Sequence, residues 1–150
     1  MSNFGSIDEV LDFAVKREEE SERFYLEMAK RVEKMKEVFE QFAAEERGHK
    51  AKLLAVKENK RLVAKSSKPV QDLKIGDYLE EKEATPGMDY ADALVLAMKK
   101  EKKAFKLYSD LAASAESGET AELFRGLAQE EARHKLRFEV EYDDYVLREN

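Results

Sequence analysis

The sequence predicts an all-α protein, an antiparallel four-helix bundle made of two repeated helical hairpins. Charged residues make up 40% of the 150 residues and hydrophobic ones 43%, whereas only 6 Gly and 2 Pro are present. This balance favours a few long amphipathic helices over many short strands. Apolar residues also recur at spacings of three and four, which is typical of helices packed along one face. The pattern then occurs a second time, so the helices form two similar pairs.

The first two helices are predicted within residues 6–61. Residues 6–9 read S-x-x-E, a capping box that marks the start of helix one. No Gly or Pro except Gly48 interrupts the chain from there to about Arg61. Because one helix of that length would be unusual in a small domain, we expect a break at 33–36, where the apolar register changes.

The second pair of helices is predicted within residues 89–147. Helix three begins near Asp89 and continues to about Ser114. Ser117-Gly118 marks the next turn, and helix four then extends from about Thr120 to Leu147.

A long connection joins the two pairs. Turn-forming residues are concentrated at 62–88, with a short helical piece expected within 70–81. Symmetry makes helix three parallel to helix two, so this connection must cross the length of the bundle. A helix of about 27 residues is ~40 Å long, and an extended chain of that length reaches ~90 Å. The connection is therefore long enough. We expect residues 1–150 to form one domain.

The two halves repeat in register. Helix three repeats the inward positions of helix one 83 residues later, and helix four repeats those of helix two 85 residues later. The positions in helices one and three are Ile7, Leu11, Ala14, Glu18, Ser21, Tyr25, Met28 and Val32, then Tyr90, Leu94, Ala97, Glu101, Ala104, Tyr108, Leu111 and Ala115. Those in helices two and four are Phe39, Phe42, Glu46, His49 and Leu53, then Phe124, Leu127, Glu131, His134 and Phe138.

Acidic and imidazole side chains interrupt these apolar seams at matching places. Each half has one Glu in its first helix and a Glu-x-x-His motif in its second, and residues three apart share a helix face. The six candidate metal ligands are Glu18, Glu46 and His49 in the first half and Glu101, Glu131 and His134 in the second. We expect them to converge inside the bundle.

Carboxylates in an apolar seam need compensating charge. The seams contain no Lys or Arg, whereas two divalent cations would balance four carboxylates. Oxygen and imidazole ligands together suit iron or manganese, and zinc is also compatible. The alternative is a metal-free helical scaffold, in which these groups form a hydrogen-bonded network that only fixes the packing.

With these motifs, the sequence resembles the rubrerythrin-like branch of the ferritin-like di-iron carboxylate family. The resemblance is carried by residues 14–18 with Phe24-Tyr25, 42–49, 97–101 with Tyr108, and 127–134. It implies an iron pair with Glu18 and Glu101 as terminal ligands, Glu46 and Glu131 as bridging ligands, and His49 and His134 on one metal each. It also implies that Tyr25 and Tyr108 orient ligands by hydrogen bonds, although both also fit plain core aromatics.

The chain departs from this family in two respects. It contains no Cys, so it lacks the rubredoxin-like domain, and electrons must come from a separate donor protein such as a rubredoxin. Ala104 stands where the family tends to have an additional Glu, one turn after the third-helix ligand. The redox-linked iron movement that uses that Glu is therefore not expected.

The resemblance implies a non-haem di-iron oxidoreductase that reduces hydrogen peroxide or dioxygen in response to oxidative stress. The alternative enzyme function is ferrous iron oxidation for storage or detoxification. Cage-forming ferritins generally add a short fifth helix, so we expect a homodimer instead.

Composition excludes several other classes of protein. The formal net charge of −6 argues against a nucleic-acid partner, and the absence of Cys excludes thiolate chemistry. The longest apolar run, residues 93–98, is too short to span a membrane. The N-terminus lacks signal-peptide features, so a cytoplasmic location is expected.

Overall fold

A computed structural model describes residues 6–58, 77–78, 84–85, 87–115 and 117–149. These residues form four α-helices and no strand, which confirms the all-α prediction. The helices are α1 (Ile7–Arg31), α2 (Lys36–Glu58), α3 (Tyr90–Ser114) and α4 (Gly118–Glu149).

The chain divides into two compact units, residues 4–72 and residues 73–150 together with 1–3. The first unit contains α1 and α2 (hairpin one), and the second contains α3 and α4 (hairpin two). The existence of one domain over residues 1–150 stays a prediction.

Hairpin one begins and turns where the sequence predicts. Ser6 caps α1, because its hydroxyl oxygen accepts a hydrogen bond from the Glu9 backbone N–H at 3.2 Å. The break lies at Val32, which has extended backbone angles, and a 3-10 turn over Glu33–Met35 leads into α2. No side-chain cap marks this break, but Met35 is buried. Packing of this apolar side chain therefore fixes the turn between the two helices.

Hairpin two is delimited by caps and a glycine turn. Gly87 has φ +75°, a left-handed angle that favours glycine, and the Met88 N–H donates to the Thr85 carbonyl oxygen at 3.1 Å. Asp89 then caps α3 through the Ala91 N–H. Helix α4 begins at Gly118, two residues before the predicted start. The difference arises because the Ser117 hydroxyl caps the helix by accepting from the Thr120 N–H at 3.2 Å.

The helices of each hairpin are antiparallel. In hairpin one, Asp12 near the start of α1 pairs with Lys57 near the end of α2, whereas Glu22 pairs with Arg47 nearer the turn. In hairpin two, the start of α3 likewise contacts the end of α4, where the Tyr90 hydroxyl donates to Glu141 at 2.9 Å.

The predicted seams are the buried faces of the helices. Every inward position named above is buried except Ile7, Ser21, Val32 and Ala115, which are half-buried and lie mostly near helix ends. The 4-3 spacing therefore identifies the core correctly in all four helices.

The predicted connection at 62–88 lies largely outside the described residues, as does most of the helical piece expected within 70–81. Tyr78 is described and is buried against hairpin two, where its hydroxyl donates to Asp110 at 2.7 Å. Burial and the neighbouring Asp110 carboxylate raise the pKa of the Tyr78 hydroxyl above its usual value, so it remains a donor. Among the helices described, none is long and apolar enough to cross a bilayer.

Candidate metal centre

The first cluster of predicted ligands lies in the core of hairpin one. Glu18 comes from the middle of α1, and Glu46 and His49 are one turn apart on α2. The His49 Nδ1 atom lies 3.1 Å from a Glu46 carboxylate oxygen and 3.5 Å from a Glu18 carboxylate oxygen. All three side chains are at most 2% exposed. We call these three residues the first triad.

Hairpin two contains the corresponding second triad, Glu101, Glu131 and His134. Glu101 comes from α3, and Glu131 and His134 are one turn apart on α4. The His134 Nδ1 atom lies 3.0 Å from a Glu101 oxygen and 3.5 Å from a Glu131 oxygen. All three side chains are at most 1% exposed. The triads thus present the same kinds of atoms, as the repeat predicts, although the nearer carboxylate is Glu46 of the motif in the first triad and Glu101 of the other helix in the second.

The spacing of the donor atoms fits metal coordination. In each triad, one ligand atom from each residue lies within 4.8 Å of the others. Metal–oxygen and metal–nitrogen bonds of about 2.1 Å place neighbouring ligand atoms roughly 3.0 to 3.4 Å apart. The distances between His Nδ1 and carboxylate oxygens, 3.0–3.5 Å, are within about 0.1 Å of that range. Two carboxylates and one imidazole per triad also suit iron or manganese.

Aromatic rings pack beside each triad in the same way. The Tyr25 ring stacks on Phe39 with centroids 6.3 Å apart, and the Tyr108 ring stacks on Phe124 at 6.4 Å. Both tyrosines are 1% exposed. Their rings are therefore part of the core, and the role of their hydroxyls in orienting ligands stays a prediction.

The carboxylates that precede the triad glutamates are less buried than the triads. Glu45 and Glu130, each one residue before a triad Glu, are only half-buried. Glu45 accepts a hydrogen bond from the Gln41 side chain at 2.9 Å. A shift of one residue turns a helical side chain by about 100°, which explains why these carboxylates point away from the core.

Sequence reasoning missed one buried carboxylate, Glu141, which is 1% exposed. It lies seven residues after His134 and therefore on the same face of α4, a spacing that could have identified it. Glu141 accepts a hydrogen bond from the Tyr90 hydroxyl and lies 3.7 Å from the Arg148 guanidinium. The repeat places Ile7 and Val56 at the corresponding positions of hairpin one, so this polar pair belongs to hairpin two alone.

Replacing Tyr90 with Phe is expected to destabilise the protein by about 1–3 kcal/mol, because the Glu141 carboxylate would lose a donor in the core. Burial and Glu141 raise the pKa of the Tyr90 hydroxyl, which keeps its proton and donates across the neutral pH range. Urea unfolding of Tyr90→Phe would measure the loss. Tyr142→Phe, on the same helix as Glu141 but half-buried, is the control. Equal stability of Tyr90→Phe and the wild type would contradict this account.

Comparison with known proteins supports the same interpretation of fold and family. The rubrerythrin family profile matches residues 9–88 and 92–150. A crystal structure from Thermotoga maritima, described as a ferritin-like diiron-carboxylate protein, has a TM-score of 0.79 and 18% identity. The match covers 97% of this chain and 99% of that one. No curated protein matches the sequence significantly.

These comparisons assign the ferritin-like four-helix fold, as the sequence predicts. Together with the two buried Glu/His clusters, they support a di-metal carboxylate protein.

Proposed function

Because the chain belongs to the rubrerythrin family, we propose that it is a non-haem di-iron oxidoreductase that reduces hydrogen peroxide or dioxygen. The observation that carries the proposal is the pair of matched triads, each with two carboxylates around a histidine Nδ1. Nothing in ordinary helix packing requires this arrangement to occur twice.

The proposal assigns both triads to one iron pair. Glu18 and Glu101 would be the terminal ligands, and Glu46 and Glu131 would be shared by the two irons. His49 and His134 would bind one iron each through Nδ1, the ring atom that faces the carboxylates in each hairpin. Four carboxylates balance the charge of two divalent cations, and this compensation offsets the cost of burying them.

When bound, an iron pair supplies the two electrons with which hydrogen peroxide and two protons give two molecules of water. The chain holds this chemistry in a dry environment, because the triad side chains are at most 2% exposed. A glutamate carboxylate can bind a metal through one or both oxygens. The triad side chains could therefore change their mode of binding when the charge of the metals changes. The Tyr25 and Tyr108 hydroxyls are proposed to orient the ligands.

The 150 residues contain no Cys that could hold a second iron centre, which favours a separate source of electrons. We propose a small donor protein of the rubredoxin type. The proposal also includes a cytoplasmic homodimer, whose size light scattering would distinguish from a 24-subunit shell.

Peroxide consumption by the His49→Ala variant tests this function. Iron-loaded protein would be reduced without oxygen, freed of reductant and mixed with hydrogen peroxide. We expect the wild type to consume peroxide at least about 100-fold faster than His49→Ala, because the variant loses a ligand from one triad. Glu45→Gln, which changes a half-buried carboxylate close by, should react like the wild type. Equal rates for the wild type and His49→Ala would refute the proposal.

A further inference from the structure

Three ion pairs join the two helices of hairpin one along its solvent-exposed edge. Asp12 pairs with Lys57, Glu19 with Lys50 at 2.6 Å, and Glu22 with Arg47 at 2.8 Å. The pairs follow one antiparallel register, because each step along α1 is matched by an equal step back along α2. Along this edge, the negative charges of α1 are therefore balanced by the positive charges of α2.

The internal repeat replaces every one of these pairs in hairpin two. The corresponding positions hold Val95 with Tyr142, Lys102 with Lys135, and Phe105 with Ala132. The correspondence is reliable, because the His134–Glu101 contact repeats the His49–Glu18 contact with the same two offsets. Hairpin two thus has two lysines in place of an ion pair and apolar residues in place of the other two.

The exposed surface around these positions is basic and partly aromatic. Phe105 is 42% exposed, and it shares a surface recess with Lys99, Lys102 and Lys103. Lys103 donates to the backbone carbonyl oxygen of Asp77 at 3.2 Å. Because a carbonyl group is neutral, this hydrogen bond does not cancel the positive charge of Lys103. We call Lys99, Lys102, Lys103, Phe105 and Lys135 the basic face; within it, Lys135 pairs with Glu139 on its own helix at 3.1 Å. The basic face stands out on a chain whose net charge is −6.

The basic face adjoins the second triad along α3 and α4. Lys102 follows Glu101 in sequence, Lys135 follows His134, and Phe105 is one turn after Glu101. A helix with its side chains is about 10 Å across. A protein docked on the basic face would therefore lie about one helix diameter from two of the proposed iron ligands.

We propose that the basic face is the docking site for an acidic one-electron carrier protein. This inference rests on the proposed function, which requires an external donor. Two reduced carriers, each losing one electron, would restore the two electrons that one hydrogen peroxide molecule consumes. An exposed aromatic side chain can anchor the centre of a protein interface, and charges around it guide the approach of a partner of opposite charge. A nucleic-acid duplex would need the lysines but not the exposed ring, and the net charge of −6 opposes its approach.

The decisive variant is Lys102→Glu, with a recombinant acidic rubredoxin as the probe. Binding of rubredoxin to the iron-loaded protein would be measured by calorimetry at low and high salt. We expect Lys102→Glu to weaken binding about tenfold at low salt, with a smaller effect at high salt. Phe105→Ala should weaken binding at both salt concentrations. Lys36→Glu makes the same change of charge at an exposed position on α2 and should bind within about twofold of the wild type.

Weaker binding of rubredoxin by Lys102→Glu would not be explained by unfolding of the variant. Lys102→Glu removes a lysine opposite Lys135 and places a carboxylate where Glu19 pairs with Lys50 in hairpin one, so that Lys135 has a second acidic neighbour besides Glu139. The variant should therefore melt at or above the wild-type temperature while it binds rubredoxin more weakly. Equal binding by the wild type and Lys102→Glu, or no binding by either, would overturn the proposal. Tighter binding of a short DNA duplex than of rubredoxin would also overturn it.

The proposed function can fail separately from this docking site. If dithionite-reduced wild-type protein does not consume hydrogen peroxide, the oxidoreductase function is wrong whatever the binding result. If it does consume peroxide, rubredoxin should reduce the oxidised wild type faster than it reduces Lys102→Glu. Dithionite, a small reductant that needs no protein interface, should reduce both at the same rate.

Discussion

Loading with two equivalents of Mn²⁺ is expected to raise the melting temperature of this protein by about 10–20 °C. A ligand that binds only the folded state stabilises it by about 2.7 kcal/mol per site at 100 times its Kd. Two such sites give about 5 kcal/mol, and each kcal/mol is worth ~2–4 °C for a chain of this size. The triads have the atoms for this binding, because Nδ1 and carboxylate oxygens lie 3.0–3.5 Å apart in both hairpins.

Calorimetry of the metal-free and manganese-loaded protein would measure the shift. A chelator added in excess should return the melting temperature to the metal-free value, which excludes a permanent change in the sample. The metal-free scaffold alternative makes the opposite prediction. In a scaffold, the carboxylates and imidazoles only fix the packing, so manganese and chelator should both leave the melting temperature unchanged.

The Glu46→Gln variant is expected to change stability in opposite directions with and without metal. In the metal-free protein, Glu46 is one of two fully buried carboxylates beside His49. Gln has nearly the same shape and no charge, so the metal-free variant should melt at or above the wild-type temperature. The same change removes a charged ligand, so manganese affinity should fall by about 10- to 100-fold or more.

Glu45→Gln is the matched control for this experiment. It makes the same chemical change one residue earlier, at a half-buried carboxylate that faces Gln41. The control should keep the manganese-induced rise in melting temperature. A Glu46→Gln variant that kept the full rise would show that Glu46 does not bind metal.

Most of the fold was predictable because helical periodicity and capping are local properties. The capping box at Ser6, the break at 33–36 and the start at Asp89 all follow from residues close in sequence. The start of α4 was predicted two residues late, because both Ser117 and Thr120 are suitable caps and only the hydrogen-bond geometry selects Ser117. The packing of Tyr78 against Asp110 depends on a contact between residues 32 positions apart, which no local pattern indicates.

The candidate site was predictable as a set of residues but not as a set of atoms. A helix fixes which residues share a face, so the spacing alone places Glu46 beside His49. It does not fix the ring orientation, and the structure is needed to show that Nδ1 faces the carboxylates in both triads. The Glu-x-x-His motif ends at His134 and so does not indicate Glu141, which is buried two turns further along the same face of α4.

Lysine runs such as those at 99–100 and 102–103 on α3 are typical of a solvated helix face. Lys99 and Lys102 are indeed exposed. Their significance emerges only from the comparison with hairpin one, where the corresponding edge is closed by ion pairs. Sequence repeats alone could not reveal it, because the ion pairs had to be observed before their loss could be recognised.

The central claim is that the two triads hold one pair of metal ions. Mössbauer spectroscopy of the iron-loaded protein, combined with elemental analysis, tests this claim most directly. We predict two irons per chain whose ferric spins are coupled to a diamagnetic ground state, and loss of that coupling in His134→Ala. Two magnetically independent irons, or a single iron per chain at saturation, would contradict it.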